Sequence, residues 1–172
     1  MERYMIEGKN NEFEFRSTKI LNLILRGISS GEKAELARMD AFKRDGYTPM
    51  AFYRVANMCF PENWYKNDRM SVYYRVLTKS IAMHPVGGQT KLGEALAKAG
   101  VSELRLNRLL NSRPGSMDLY KSWIHVLQMI KSKDVGFFWG DAELFLVTVD
   151  REKAVRIRDE IASEYCRSIN HK

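Results

Sequence analysis

The sequence predicts an all-α fold, and three observations carry that prediction. Apolar residues recur at helical spacing along most of the chain. Helix caps and breakers punctuate it at short intervals without leaving an obvious linker. The one β-prone stretch, Glu143-Leu144-Phe145-Leu146-Val147-Thr148-Val149, has no evident second strand to pair with and is read as a buried helix.

The first helix is expected from about Phe13 to Ile28, where Ile20, Leu21, Ile24, Leu25 and Ile28 fall at helical spacing. Ser29 with Glu32 three residues on has the form of a capping box, which opens a second helix through about Lys43. Asp45-Gly46 marks a turn. Thr48-Pro49 then reads as an N-cap followed by proline in the first turn, for a helix that stops before Pro61. Asn67 or Asp68 opens the next helix, with Met70, Tyr73, Leu77 and Ile81 along one face, and it ends near His84-Pro85. Val86-Gly87-Gly88-Gln89 is loop. Thr90 and Ser102 are the expected N-caps of two short helices meeting at Gly100-Val101-Ser102. Ser116 caps a helix with Leu119, Trp123, Ile124, Leu127 and Ile130 as its buried stripe. Asp150 starts the last, along which Ala154, Ile157, Ile161 and Tyr165 align.

The chain has 172 residues, 45% hydrophobic and 28% charged, which is enough for a real core and too apolar for wholesale disorder. One all-helical domain, 1–172, is expected, with 1–113 and 114–172 as its lobes if it divides. No repeats or low-complexity segments interrupt it. Cys59 and Cys166 are too few for a disulfide framework, and a reducing cytoplasm is the simplest location. The first residues are charged and lack the apolar core of a signal peptide, and no run approaches a membrane span, so a soluble protein is expected.

Charge is the informative quantity. The net charge is +7, and residues 66–113 alone hold nine Lys/Arg against three Asp/Glu. Concentrated positive charge is what a polyanion-binding surface needs, and solubility alone would not require it. Within this region Lys66 and Arg69 lie at one helix start, and Arg75 and Lys79 are four apart further along. Lys91 stands at the mouth of the next helix. Arg105 and Arg108 share a helical face, with Arg113 just beyond. Guanidinium groups so placed contact successive phosphates, while helix N-termini add backbone donors.

Catalytic chemistry finds no support. His84, His125 and His171 form no ligand or nucleophile–base pattern with Cys, Asp or Glu. Gly87-Gly88 lacks the Gly-Lys-Ser/Thr of a phosphate loop, and the acids suggest no paired carboxylates. No metal, cofactor or catalytic residue is expected. Among the aromatics Tyr53, Trp64, Tyr65, Tyr73, Tyr74, Phe137, Phe138 and Trp139, core packing is the default. Trp64, just before the basic region, and Tyr74, within its first helix, are the two read as able to stack on bases.

Gly100-Val101-Ser102, with apolar Leu106 following, also fits a helix-turn-helix. The small residue expected four places before the turn glycine is Leu96, so the fit is imperfect.

The order of landmarks resembles a known family. Ala51-Phe52-Tyr53-Arg54-Val55, a helix with Arg69, Leu92-Gly93-x-Ala95-Leu96-Ala97, Glu103-x-Arg105-Leu106 and Leu109-Leu110 are similar to the CasB family, the small subunit of the type I-E CRISPR Cascade complex. The resemblance covers roughly residues 32–170. The family often carries adjacent arginines at the end of its first basic helix, where this chain has Arg38 alone. The resemblance implies an all-α, non-catalytic subunit, two copies of which lie along the inner face of the complex. It implies contacts with the large and backbone subunits that carry the guide RNA, and a basic face that guides target DNA and holds the displaced strand of the R-loop. By resemblance and charge together, Arg69, Lys91, Arg105, Arg108 and Arg113 are the expected phosphate contacts, with Arg38 and Lys121 as secondary members. A helix-turn-helix regulator and an adaptor for an acidic protein are the competing readings.

Overall fold

The computed structural model describes residues 14–43 and 45–170, so the expected helix start at Phe13 and the terminal His171 lie outside the described residues. Nine α-helices and one 3₁₀ turn account for the architecture of the described part, and residues 143–147 are helical as expected. The chain runs through α1 (Arg16–Arg26), α2 (Ser30–Arg38), α3 (Met50–Cys59), a 3₁₀ turn (Trp64–Lys66) and α4 (Asp68–Met83). It continues through α5 (Leu92–Lys98), α6 (Glu103–Leu110), α7 (Met117–Ser132), α8 (Trp139–Val147) and α9 (Arg151–Asn170). Only an isolated bridge between Gly87 and Phe137 has β character among the described residues.

Helix α4 is the axis. Tyr73, Tyr74, Val76, Leu77, Ser80 and Ile81 bury it around most of its circumference, and α1, α2, α3, α7 and α8 all pack on it. Among the buried polar groups on this axis Ser80 is bonded, whereas Thr78 Oγ1 has no hydrogen-bond partner among the described residues. Ser80 Oγ donates to the Val76 carbonyl at 2.6 Å and accepts from Trp123 Nε1 at 2.9 Å, fixing α7 to α4. Trp123, Phe137 and Trp139 meet with ring centroids 4.6–6.3 Å apart, and all three are buried. Burying side chains of this size contributes about 2–3 kcal/mol each. His84 is a satisfied core histidine: its Nε2 lies 2.8 Å from the Val135 carbonyl, so that nitrogen carries the proton.

Local signals set most boundaries. Ser29 and Glu32 form the capping box, and Asn67, Ser102 and Ser116 each accept a backbone N–H of the first turn. Asp150 accepts from Lys153 N at 2.9 Å. Gly100, at φ +72°, ends α5 in the left-handed conformation, and Val101 N and Gly100 N return to the Leu96 and Ala97 carbonyls. This is a Schellman closure, sealed by buried Val101 against buried Leu96.

Where the starts of α1 and α5 and the end of α2 differ from expectation, distant side chains are the cause. Thr90 does not cap α5. That helix starts at Leu92, and its free N–H groups are taken by Asp141 Oδ2 from α8 (Leu92 N, 3.2 Å) and Glu164 Oε2 from α9 (Gly93 N, 3.1 Å). Glu143 likewise accepts from Arg16 N and Ser17 N and sets the start of α1. Helix α2 ends at Arg38 rather than Lys43, because the Lys79 ammonium takes the Ala37 and Met39 carbonyls at 2.6 and 3.0 Å. The N-cap of α3 is Pro49, not Thr48, whose hydroxyl instead donates to the Gly46 carbonyl. Leu25, on the expected apolar face of α1, is exposed.

Candidate nucleic-acid interface

The cations of the basic region divide into those the fold consumes and those it presents. Arg75 and Lys79 are consumed, correcting their place among candidate contacts. Arg75 is buried with its guanidinium 5.2 Å from the Phe52 ring centre and a hydrogen bond to Thr48 Oγ1. Lys79 closes the end of α2, and its ammonium pKa is lowered by burial. Lys98 pairs with Glu94 one turn away at 2.7 Å.

Of those presented, Arg105, Arg108 and Arg113 gather on the α6–α7 hairpin. Leu106, Leu109 and Leu110 turn inward and hold α6 to the core, which directs Arg105 and Arg108 outward. Ser102 Oγ orders the first turn by accepting from Arg105 N at 3.4 Å. Both guanidinium groups line an open hollow of about 500 Å³ between α6 and α7, closed on the α7 side by Ser122, His125, Gln128 and Met129. Arg105 Nη1 rests 3.6 Å from Met129 Sδ. No ion pair engages Arg105 or Arg108 among the described residues, and no carboxylate lines the hollow. Lys121, exposed on α7, lies one turn before His125 on the same helical stripe.

Arg113 is exposed in the turn between the two helices. Arg69 reaches that turn from α4: a Cβ at Gly115 would meet its Cδ at 3.5 Å and its Nη1 at 3.7 Å. Arg69 is only partly exposed, and its Nη1 is buried with no hydrogen-bond partner among the described residues. Two expected contacts lie elsewhere. Lys91 stands over the acidic cap of α5, 3.8 Å from Asp141, and Arg38 is exposed at the end of α2, which packs on α3 and α4.

Sequence reasoning set His125 aside as forming no ligand or nucleophile–base pattern; the structure exposes it in the hollow. Its four-residue step from Lys121, opposite the buried stripe, was the available signal. Tyr74 is corrected in the other sense. It is buried and stacked on Phe60 at 4.3 Å, so it cannot meet a base. Trp64 remains partly exposed beside exposed Tyr53 and Tyr65.

Among the described residues no group of His, Cys, Asp and Glu could hold a metal ion, and no helix is long and apolar enough to cross a membrane. Neither a curated protein nor a solved structure matches the chain. One family does: the sequence model described as CRISPR-associated protein Cse2 matches residues 32–165, which take in the whole α6–α7 hairpin. The match covers more than half of the chain and agrees with the resemblance to CasB. The chain therefore belongs to the CRISPR-associated protein Cse2 family and is a Cascade subunit of CRISPR interference.

Proposed function

We propose that this subunit works without catalysis by holding nucleic-acid backbone, whatever its sequence, on the α6–α7 hairpin. The observation that carries this is the convergence of Arg105 and Arg108 on one open hollow with no carboxylate facing them. A guanidinium offers five donors in a fixed fork suited to phosphate oxygens. Lys121 and Arg113 extend the cationic surface along the hairpin, and Arg69 supports it from beneath the turn. Lys91 and Arg38 are outlying contacts at most one phosphodiester each.

Such contacts matter because exchanging a DNA duplex for an RNA–DNA hybrid is nearly balanced, so modest added affinity for the displaced strand tips it. Electrostatic contacts are sequence-blind, as a strand displaced at any target requires. The remaining surfaces serve assembly: the large and backbone subunits with their guide RNA, and a second copy of this chain. Helix α9, whose exposed cations are largely offset by its own acids, suits a protein contact.

The test is Cascade assembled with Arg105→Glu/Arg108→Glu subunits. Assembly is expected to persist while R-loop yield falls. Loss of assembly would instead make the basic face a protein-docking surface. One observation favours a second reading, a helix-turn-helix regulator: α6 exposes Asn107 between Arg105 and Arg108, and these residue types read base edges. That reading requires tight binding to a single duplex sequence.

A further inference from the structure

A second hollow, remote in sequence from the α6–α7 hairpin, opens between α3, the 3₁₀ turn and the start of α4. Its volume is about 490 Å³, and Tyr53, Phe60, Trp64, Tyr65 and Arg75 line it. Its walls are unlike the rest of the surface. Tyr53 and Tyr65, exposed by 44% and 49%, are two exposed aromatic rings brought to one hollow, whereas Tyr47 is exposed outside it. Trp64 is held on edge by Phe52 at 5.3 Å and Phe60 at 5.7 Å, which fixes the indole while leaving part of it in solvent. Tyr65 stands at 89° to Trp64 with centroids 5.8 Å apart, so the pair forms a corner rather than a closed stack. Arg75, held in the core by the Phe52 ring and Thr48, lies under the floor, and Glu62 also lines the hollow.

We propose that this hollow takes an unpaired nucleobase of the strand whose backbone the α6–α7 hairpin holds; the inference therefore rests on that proposed function. Rigid aromatic walls accept a flat ring, and every base has a π-face to stack on them. A base is a better fit than a protein side chain because the path leading away carries Lys66, Arg69 and Arg113 against Asp68 alone. Lys66 follows Tyr65 directly and is exposed, and Arg69 one turn on reaches the Gly115 turn that adjoins Arg113. A strand with one base in the hollow has cations for its phosphates towards the hairpin. Duplex DNA cannot use this site without unpairing, so the hollow selects single strands.

The test compares a labelled thymidine 12-mer with an abasic 12-mer of equal charge, binding to the full chain and to a Tyr53→Ala/Tyr65→Ala variant. Base–aromatic stacking supplies at least about fivefold per base, so the thymidine strand should bind at least about fivefold more tightly. The variant should lose that preference while retaining its affinity for the abasic strand. Trp64 fluorescence should also be quenched by the thymidine strand and not by the abasic one, since Trp123 and Trp139 are buried. Equal, salt-sensitive binding of both strands would overturn the base site while leaving the backbone reading intact, and would make the aromatic hollow a protein contact. A preference that survives in the variant would overturn it too. Failure of both strands to bind would overturn the backbone reading and this inference together.

Discussion

Gly93 of α5 lies against the backbone of Ile161 in α9 so closely that a Cβ there would be 2.2 Å from the Ile161 carbonyl oxygen. The same atom would meet Glu164 Cβ at 2.6 Å and Tyr165 N at 2.9 Å, so no rotamer change relieves the clash. This contact explains the glycine of the Leu92-Gly93-x-Ala95-Leu96-Ala97 landmark. It is a packing requirement, set where the longest helix crosses the first helix of the α5–α6 pair. Gly93→Ala should therefore force α5 and α9 apart and cost about 1–3 kcal/mol. The melting temperature followed by circular dichroism should fall by about 3–10 °C, whereas an unchanged value would mean that the two helices do not meet there.

The α5–α9 junction is also tied by Tyr165, whose buried hydroxyl donates to the Val101 carbonyl at 2.6 Å. Tyr165→Phe keeps the ring and leaves that carbonyl without its donor. A loss of about 1–2 kcal/mol in chemical denaturation is expected. A neutral result would place water, rather than tyrosine, at the carbonyl.

The carboxylates that cap α5 make stability depend on pH. Burial raises the pKa of Asp141 above its ordinary 3.8, against the opposing pull of the Leu92 N–H and Lys91. Burial, and then the neighbouring Asp141 charge, raise Glu164 above 4.5, opposed by the Gly93 N–H and Lys91. A carboxyl with a raised folded-state pKa contributes most stability below its unfolded value and loses that contribution as pH rises through the folded value. Asp141→Asn/Glu164→Gln retains acceptor oxygens and abolishes the titration. The melting temperature of the wild type minus that of this variant should thus fall as pH rises above about 4. A difference that is flat, or that rises with pH, contradicts the burial of these groups.

The cysteines should differ sharply in reactivity. Cys59 is buried in α3, and burial pushes its thiol up to about 11, whereas Cys166 is exposed on α9. The thiolate is the reactive form, so iodoacetamide near pH 8 should alkylate Cys166 and spare Cys59. Peptide mass mapping reads the outcome; modification of Cys59 in folded protein would show α3 to be looser than the structure has it.

Much of the fold was legible because its signals are local. Ser29/Glu32, Asn67, Ser102, Ser116 and Asp150 each act within one helical turn, and the stripe Leu119, Trp123, Ile124, Leu127, Ile130 is buried as its spacing requires. Most of the errors arose where a partner is distant in sequence. No local pattern announces that Glu143 starts α1, that Lys79 ends α2, or that Asp141 and Glu164 cap α5. The candidate site shows the same division. The outward direction of Arg105 and Arg108 follows from their own helix, and the landmarks that resembled CasB were enough to point to the family. The withdrawal of Arg75 into the core, the burial of Tyr74 on Phe60 and the arrival of His125 beside the arginines depend on how helices pack. Charge counted along a sequence includes cations that hold the fold together, and only the structure separates them.

The central claim is that the α6–α7 hairpin holds nucleic-acid backbone without regard to sequence. Its most direct test is fluorescence anisotropy of two unrelated single-stranded oligonucleotides, titrated with the wild type and with Arg105→Glu/Arg108→Glu from about 50 to about 200 mM salt. The account predicts near-equal affinity for both sequences, falling with a log–log salt slope of about −3 for roughly four phosphates. The double variant should bind much more weakly, with a shallower slope. Salt-insensitive binding, strong preference for one sequence, or a variant that binds as well as the wild type would contradict it.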